Sequence, residues 1–211
     1  MATLNNLVAT VAKSTGIAEV SVKEVARRLR ESRLIQTGKV GRYGGAQMTP
    51  YDAAALIVGL MAYRGSDASL DNLAAITREL LASISYKSGR KWRPGGWPRD
   101  LNLPLLSKLG QGHSLKNAVA ALIVSAHRGD TEHIHPDDSV LQVYCASTPP
   151  YAVIGFEGSP EHPSETTRFE LSYSRRGFPI TTPTLTIIAR LMLSTIEDIG
   201  NVLETGAAGG G

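Results

Sequence analysis

Apolar residues recur at helical spacing from the start of the chain. Leu4, Leu7, Val8, Val11 and Ala12 form the i, i+3, i+4, i+7, i+8 stripe of an amphipathic helix over residues 4–13. Gly16 offers the positive φ of a tight turn, and Val22, Val25, Ala26 and Leu29 mark one face of a second helix, around 19–33. Ser21 and Glu24 are spaced as a capping box for it, with a start one turn earlier, near Glu19, as the alternative. Thr49-Pro50, an N-cap followed by a first-turn proline, predicts a third helix over about Tyr51–Tyr63. That helix is apolar nearly all round, so it must be buried on more than one side, inside the chain or against another subunit. Ser69 opens a fourth helix bearing Leu70, Leu73, Ala74, Ile76, Leu80 and Leu81, and a further one spans about Ser114–Ala126.

The pattern then changes. Residues 86–104, rich in Gly and Pro, read as a loop, and 127–138 as a polar turn region. VLQVYCA (140–146), YAVIGFE (151–157) and RFELSYS (168–174) alternate or run apolar over strand lengths. A last helix is expected from Thr182-Pro183, carrying Leu185, Ile188, Leu191, Met192, Ile196, Ile199 and Leu203, followed by a flexible tail over 205–211. Helices first and strands later predict an α+β chain: a helical N-terminal part, a helical middle, and a short antiparallel β-meander closed by a long helix. The expected division is 1–65, 66–204 and the tail, with 127–138 as another possible boundary.

Charge changes the picture at one end. Residues 1–50 hold eight basic and three acidic side chains, a net +5, whereas the other 161 carry 14 basic and 16 acidic, a net −2. A basic end on a nearly neutral body suggests a polyanion-binding head. The single cysteine, Cys145, excludes an intramolecular disulfide and suits a reducing, cytoplasmic setting. No secretory leader pattern opens the chain, and the longest apolar run, 53–62, is too short to cross a bilayer, so no membrane association is expected.

Within the basic end, residues 15–49 contain a turn TGI, a helix SVKEVARRLRES, an ending LI, a loop rich in glycine and basic residues, and a polar residue opening the next helix. In that order these pieces resemble the winged helix-turn-helix family over about the first 65 residues. The resemblance implies a double-stranded-DNA-binding domain, and sequence-specific binding by a transcriptional regulator. The helix around 19–33 would read the major groove, and a wing around 36–48 would meet the backbone or minor groove. Ser21, Lys23, Glu24, Arg27, Arg28 and Arg30 would contact DNA from the helix, and Lys39, Arg42 and Tyr43 from the wing. The family usually places a further helix before the pair; here that helix is either supplied by Tyr51–Tyr63 or absent. Two other readings compete. GKVGRYGG has spaced glycines but lacks the Lys-Ser/Thr ending and preceding strand of a phosphate loop. Alternatively, the arginines line a solvated helix face, and the chain is a protein-interaction or enzyme module that does not bind DNA.

Elsewhere, Arg90, Lys91, Trp92 and Arg93 combine cations with an aromatic, as a second nucleic-acid contact would, or else the tryptophan anchors its loop. His133, His135, Asp137, Asp138 and His162 lack the fixed ligand set of a structural metal site and read as a solvated loop. No nucleophile elbow, paired-carboxylate or zinc-enzyme motif appears, so neither an enzyme nor a cofactor is expected. The expected partners are duplex DNA, further copies of the chain, and a protein bound through the C-terminal part. In layout the chain also resembles, more loosely, the small terminase subunits of tailed phages. That resemblance implies a DNA-packaging adaptor; the strand-rich last third departs from it.

Overall fold

The computed structural model describes residues 2–37, 46–64, 70–86, 103–110, 112–132, 139–147, 150–158, 167–174 and 189–208. Its elements, in chain order, are α1 (Leu4–Thr15), α2 (Glu19–Glu31), α3 (Pro50–Arg64), α4 (Leu70–Ala82), β1 (Ile84–Tyr86), α5 (Pro104–Ser107), α6 (Leu115–His127), β2 (Ser139–Ser147), β3 (Pro150–Gly158), β4 (Thr167–Ser174), β5 (Ala189–Met192) and α7 (Leu193–Ala208). The chain is a helix-rich α+β fold.

The helix starts follow from capping chemistry. Thr3 accepts from the Asn6 backbone N–H at α1, and Ser114 from that of Asn117 at α6. At α3, Thr49 Oγ1 accepts from the Asp52 N–H (3.2 Å) while the Asp52 carboxylate accepts from the Thr49 N–H (2.9 Å), a reciprocal box with Asp in the place of Glu. Ser21 does not cap α2, whose N-cap is Ala18; the helix starts at Glu19, the earlier of the two expected positions. Gly16 ends α1 in the left-handed region (φ 66) and turns the chain into α2.

α3 is the axis of the molecule. Every residue from Asp52 to Ala62 is buried. The helix packs against α2, α4, α6 and α7 and against β2 and β5. The all-round apolar character that demanded burial is thus satisfied within one chain. Gly59 lets α2 approach: a Cβ there would lie 2.6 Å from Leu29 Cδ1, and Leu29 is fully buried. α1 packs on both α2 and α7, and Ser14 Oγ donates to Asp198 Oδ2 (2.6 Å) across the second contact. One hydrophobic cluster runs from Leu7 through Leu56 and Ile123 to Ile199, so the core crosses residue 65 without a break.

The sheet has five antiparallel strands in the order β1-β4-β3-β2-β5. Its centre is the expected meander, β2–β3–β4. Val143 stands opposite Ile154, and Ala152 opposite Tyr173; all four are buried, and α3 and α4 pack on β2 and β3. Two outer strands complete it. β1 falls at the edge of the segment read as loop, and the four-residue helix α5 at its other end.

The last helix begins later than the sequence suggests. Residues 189–192 pair with β2, from Cys145↔Ala189 to Gln142↔Met192, so Leu191 and Met192 belong to a strand and not to a helix from Thr182. The expected positions 182–188 lie outside the described residues. At the far end α7 continues to Ala208, four residues into the stretch expected to fray.

β1 joins the sheet to α6. The Ser85 N–H donates to the His113 carbonyl (3.0 Å) and the Leu115 N–H to the Ser83 carbonyl (2.9 Å). The half-buried His113 ring sits between two partners: Nδ1 lies 2.9 Å from the Gly110 carbonyl and Nε2 2.9 Å from Tyr173 Oη. A carbonyl only accepts, so Nδ1 carries the proton and Nε2 accepts from the tyrosine hydroxyl. The neutral imidazole therefore satisfies both contacts. Burial lowers the His113 pKa below its ordinary 6.5, against the opposing effect of the Gly110 carbonyl. Burial also raises that of Tyr173 well above 10.

Candidate nucleic-acid interface

Three residues, Gly16 to Ala18, separate α1 from α2, and Val11, Val22, Val25, Ala26 and Leu29 are buried where the two helices meet the core. Burying that stripe fixes which side of α2 meets water. Val20, Lys23, Arg27 and Arg30 all lie on the exposed side, at i, i+3, i+7 and i+10. Val20 is 72% exposed, an unusual state for a large aliphatic side chain. Ser21, Glu24 and Arg28 are half-buried on the flanks.

The charges on this face are organised into pairs. Lys23 Nζ lies 2.6 Å from Glu19. Arg27 forms a two-pronged contact with Glu24 through Nε (2.9 Å) and Nη2, and its Nη1 reaches Glu31. Arg28 Nε donates to Glu24 at 3.2 Å. The hydrogen bond from Arg27 does most to hold the Glu24 carboxyl below its ordinary 4.5, and the same contact raises the Arg27 pKa. Helix α2 thus carries four cations and three carboxylates, and Lys23, Arg27 and Arg28 are each tied to a neighbour. Exposed pairs of this kind are weak and open readily to a competing anion.

Arg30 differs. Among the described residues neither it nor Arg33 has a carboxylate within ion-pair reach. Arg33 follows the C-cap Ser32 and adopts φ 59. The Leu34 N–H donates to the Leu29 carbonyl (2.9 Å) and the Arg33 N–H to that of Arg30 (3.0 Å), the two bonds of a Schellman ending. Glycine is the usual occupant of that position, because a Cβ in the left-handed region is strained by about 1 kcal/mol. From α4, Arg78 Nη2 donates to the Ser32 carbonyl (3.3 Å), bringing a third guanidinium to the same end of the helix.

The loop after α2 is held at its base. Asp52, 3% exposed, accepts from the Gln36 N–H through Oδ1 (2.9 Å) and from the Thr49 N–H and hydroxyl through Oδ2 (2.9 and 2.7 Å). One buried carboxylate therefore joins the chain on either side of residues 38–45. The Met48 N–H also donates to the Ala2 carbonyl (2.9 Å), so the returning chain pairs with the segment ahead of α1.

The structure thus brings Ser21, Lys23, Glu24, Arg27, Arg28 and Arg30 together on one helix. Lys39, Arg42 and Tyr43, and separately Arg90, Lys91, Trp92 and Arg93, lie outside the described residues, as do His133, His135, Asp137, Asp138 and His162. Sequence reasoning left Arg33, Arg78 and Asp52 out of the site. The Thr49–Asp52 spacing could have revealed the capping role of Asp52, whereas nothing local links Arg78 to Ser32. Among the described residues no helix is long and apolar enough to span a membrane.

No protein-family model, no curated protein and no solved structure matches the chain.

Proposed function

We propose that the chain is a double-stranded-DNA-binding protein that reads the major groove with α2 and acts as a sequence-specific transcriptional regulator. The observation that carries this reading is the two-helix unit itself: α1 and α2 joined through a left-handed Gly16, with the outer face of α2 free. The Asp52 contacts to Gln36 and Thr49, and the pairing of Met48 with Ala2, draw together the two ends of residues 38–45, as the base of a wing would require. On this reading α3, which packs on α2, would supply the further helix of a winged domain, while α7 covers α1.

Paired charges suit base reading better than bulk attraction. A guanidinium can bond guanine O6 and N7, a carboxylate can accept from the cytosine amino group, and an exposed valine can meet a thymine methyl. Arg27, Glu24 and Val20 would take these parts. A second copy would double the contacts available to a single module, and the sheet-bearing part would supply the assembly or partner surface. A packaging adaptor would use the same helix face, but no separate feature favours it.

The test is binding of a labelled random-sequence duplex over a salt series, for the wild type and for Lys23→Ala/Arg27→Ala, followed by selection of a preferred site from random sequence. The reading requires a steep salt slope in the wild type and an enriched site whose advantage the variant loses. A wild type that ignores duplex DNA at low salt would leave α2 a solvated amphipathic helix.

A further inference from the structure

The charges of α2 are distributed unevenly along its length. Towards the N-terminus each cation has a carboxylate partner, so that end projects little net field. At the C-terminal end Arg30 and Arg33 have none among the described residues, and Arg78 arrives from another helix. Ser32 lies between Arg30 and Arg33 in the chain, so the Arg78 guanidinium at its carbonyl adds a third cation to the C-terminal end of the helix that carries the other two. Of the carboxylates next to these arginines in the chain, Glu31 is held by Arg27, and Glu79 follows Arg78 on α4.

Arg33 adds an independent observation. It stands in the left-handed position of the Schellman ending, where glycine would relieve strain. Strain retained at an exposed, charged side chain points to a use for that side chain. A basic residue near a helix C-terminus gains from the helix dipole, which accounts for a cation in that turn. It does not account for one in the strained position itself.

We propose that Arg30, Arg33 and Arg78 form a phosphate clamp that grips the duplex backbone and sets the register of α2 in the groove, leaving base reading to the paired residues nearer the N-terminus. This rests on the DNA-binding reading above and divides its labour. Backbone contacts position a protein on DNA and supply its salt dependence, while carrying no sequence information. Arginine suits the role because its planar fork binds two phosphate oxygens at once.

The experiment compares wild type, Arg30→Gln, Arg33→Gly, the Arg30→Gln/Arg33→Gly double variant and Arg78→Gln. Anisotropy of a labelled random-sequence duplex is followed from about 50 to about 200 mM salt, with a single strand of the same length as a second probe. The melting temperature of each protein is measured in parallel. The clamp predicts that each lost arginine flattens the slope of log K against log salt by about one, and equally on any duplex sequence. Arg33→Gly should at once raise the melting temperature and weaken binding, opposite signs that a purely structural role would not give.

A wild type with a steep slope that the double variant leaves unchanged overturns the clamp while sparing the DNA-binding reading. Equal losses on duplex and single strand overturn the duplex register and leave a general polyanion patch. A wild type without salt-dependent binding removes both proposals together.

Discussion

Helices α2 and α3 follow one another in the chain and have nearly equal lengths, 13 and 15 residues, yet they hold their charges in opposite ways. α2 buries one stripe, and six of the seven ions on the rest of its surface are paired to each other in water. α3 is buried from Asp52 to Ala62, and Asp52, the acid at its start, is engaged by backbone N–H groups and a hydroxyl. The difference shows that the number of polar contacts is a poor guide to stability. The pairs on α2 exchange water for a partner at little net gain, whereas the contacts to Asp52 satisfy a carboxylate that has lost its water. Stability should therefore reside in α3 and recognition in α2.

The largest test of that contrast is Leu56→Ala. Leu56 is fully buried at the centre of α3, so removing its side chain should lower the unfolding free energy by about 2–5 kcal/mol in a urea titration. A loss no larger than that of an exposed alanine substitution on α2 would mean that α3 is not the axis of the fold. Asp52→Ala comes next. It leaves the Gln36 and Thr49 N–H groups without their acceptor, which should destabilise by about 1–3 kcal/mol. Asp52→Asn, with one carbonyl oxygen left to accept, should fall between the variant and the wild type.

Five of the helices were legible in the sequence because their apolar period is long enough to reveal itself. α1, α3, α4 and α6 begin within a residue of the positions that the stripes and caps suggested, and α2 begins at the earlier of its two expected starts, without the Ser21 cap. The three central strands were legible for the same reason at period two. β5 was not. Leu191 and Met192 continue the spacing of Ile196, Ile199 and Leu203, and a four-residue strand has no alternation of its own, so only pairing with β2 decides its state. β1 is shorter still and is defined by β4 and by the segment before α6.

At the candidate interface, both the α2 residues and the spacing that pairs their charges were legible. Glu19–Lys23, Glu24–Arg28 and Arg27–Glu31 are each four apart, a spacing that announces intrahelical pairs. Counting cations without these partners overstates the field. Arg78 could not have been found, because its place beside Ser32 is set by how α4 packs on α2.

Acid titration separates buried polar contacts from exposed ones. His113 has a depressed pKa in the folded chain, so it resists a proton that the unfolded chain accepts. Its contribution is complete above pH 6.5 and is lost as pH falls from there through the folded value. Glu24 is depressed as well, but its window lies below 4.5, and exposure to solvent makes its share small. Stability should thus begin to fall below pH 6.5. His113→Gln, which removes the titrating group, should flatten the fall between 6.5 and 4.5 and leave the lower limb in place. An unchanged profile in that variant would separate the His113–Tyr173 contact from the acid response.

The smallest effect on stability should come from Glu24→Gln, and it is the most informative about α2. Glu24 holds both Arg27 and Arg28, so the substitution frees Arg28, leaves Arg27 held by Glu31 alone, and removes one negative charge. With every partner exposed or half-exposed, the melting temperature should scarcely move. Affinity for random duplex DNA should rise several-fold at low salt, with a steeper salt slope, because Arg28 becomes available to phosphate, Arg27 is held more loosely and one carboxylate is gone. If Glu24 accepts from a cytosine in the preferred site, affinity for that site should gain less, and discrimination between the two should shrink. The ratio of the two affinities then distinguishes a carboxylate that merely restrains arginines from one that reads a base. A gain equal on every sequence would confine Glu24 to restraint and leave base reading to Val20, Lys23 and Arg27.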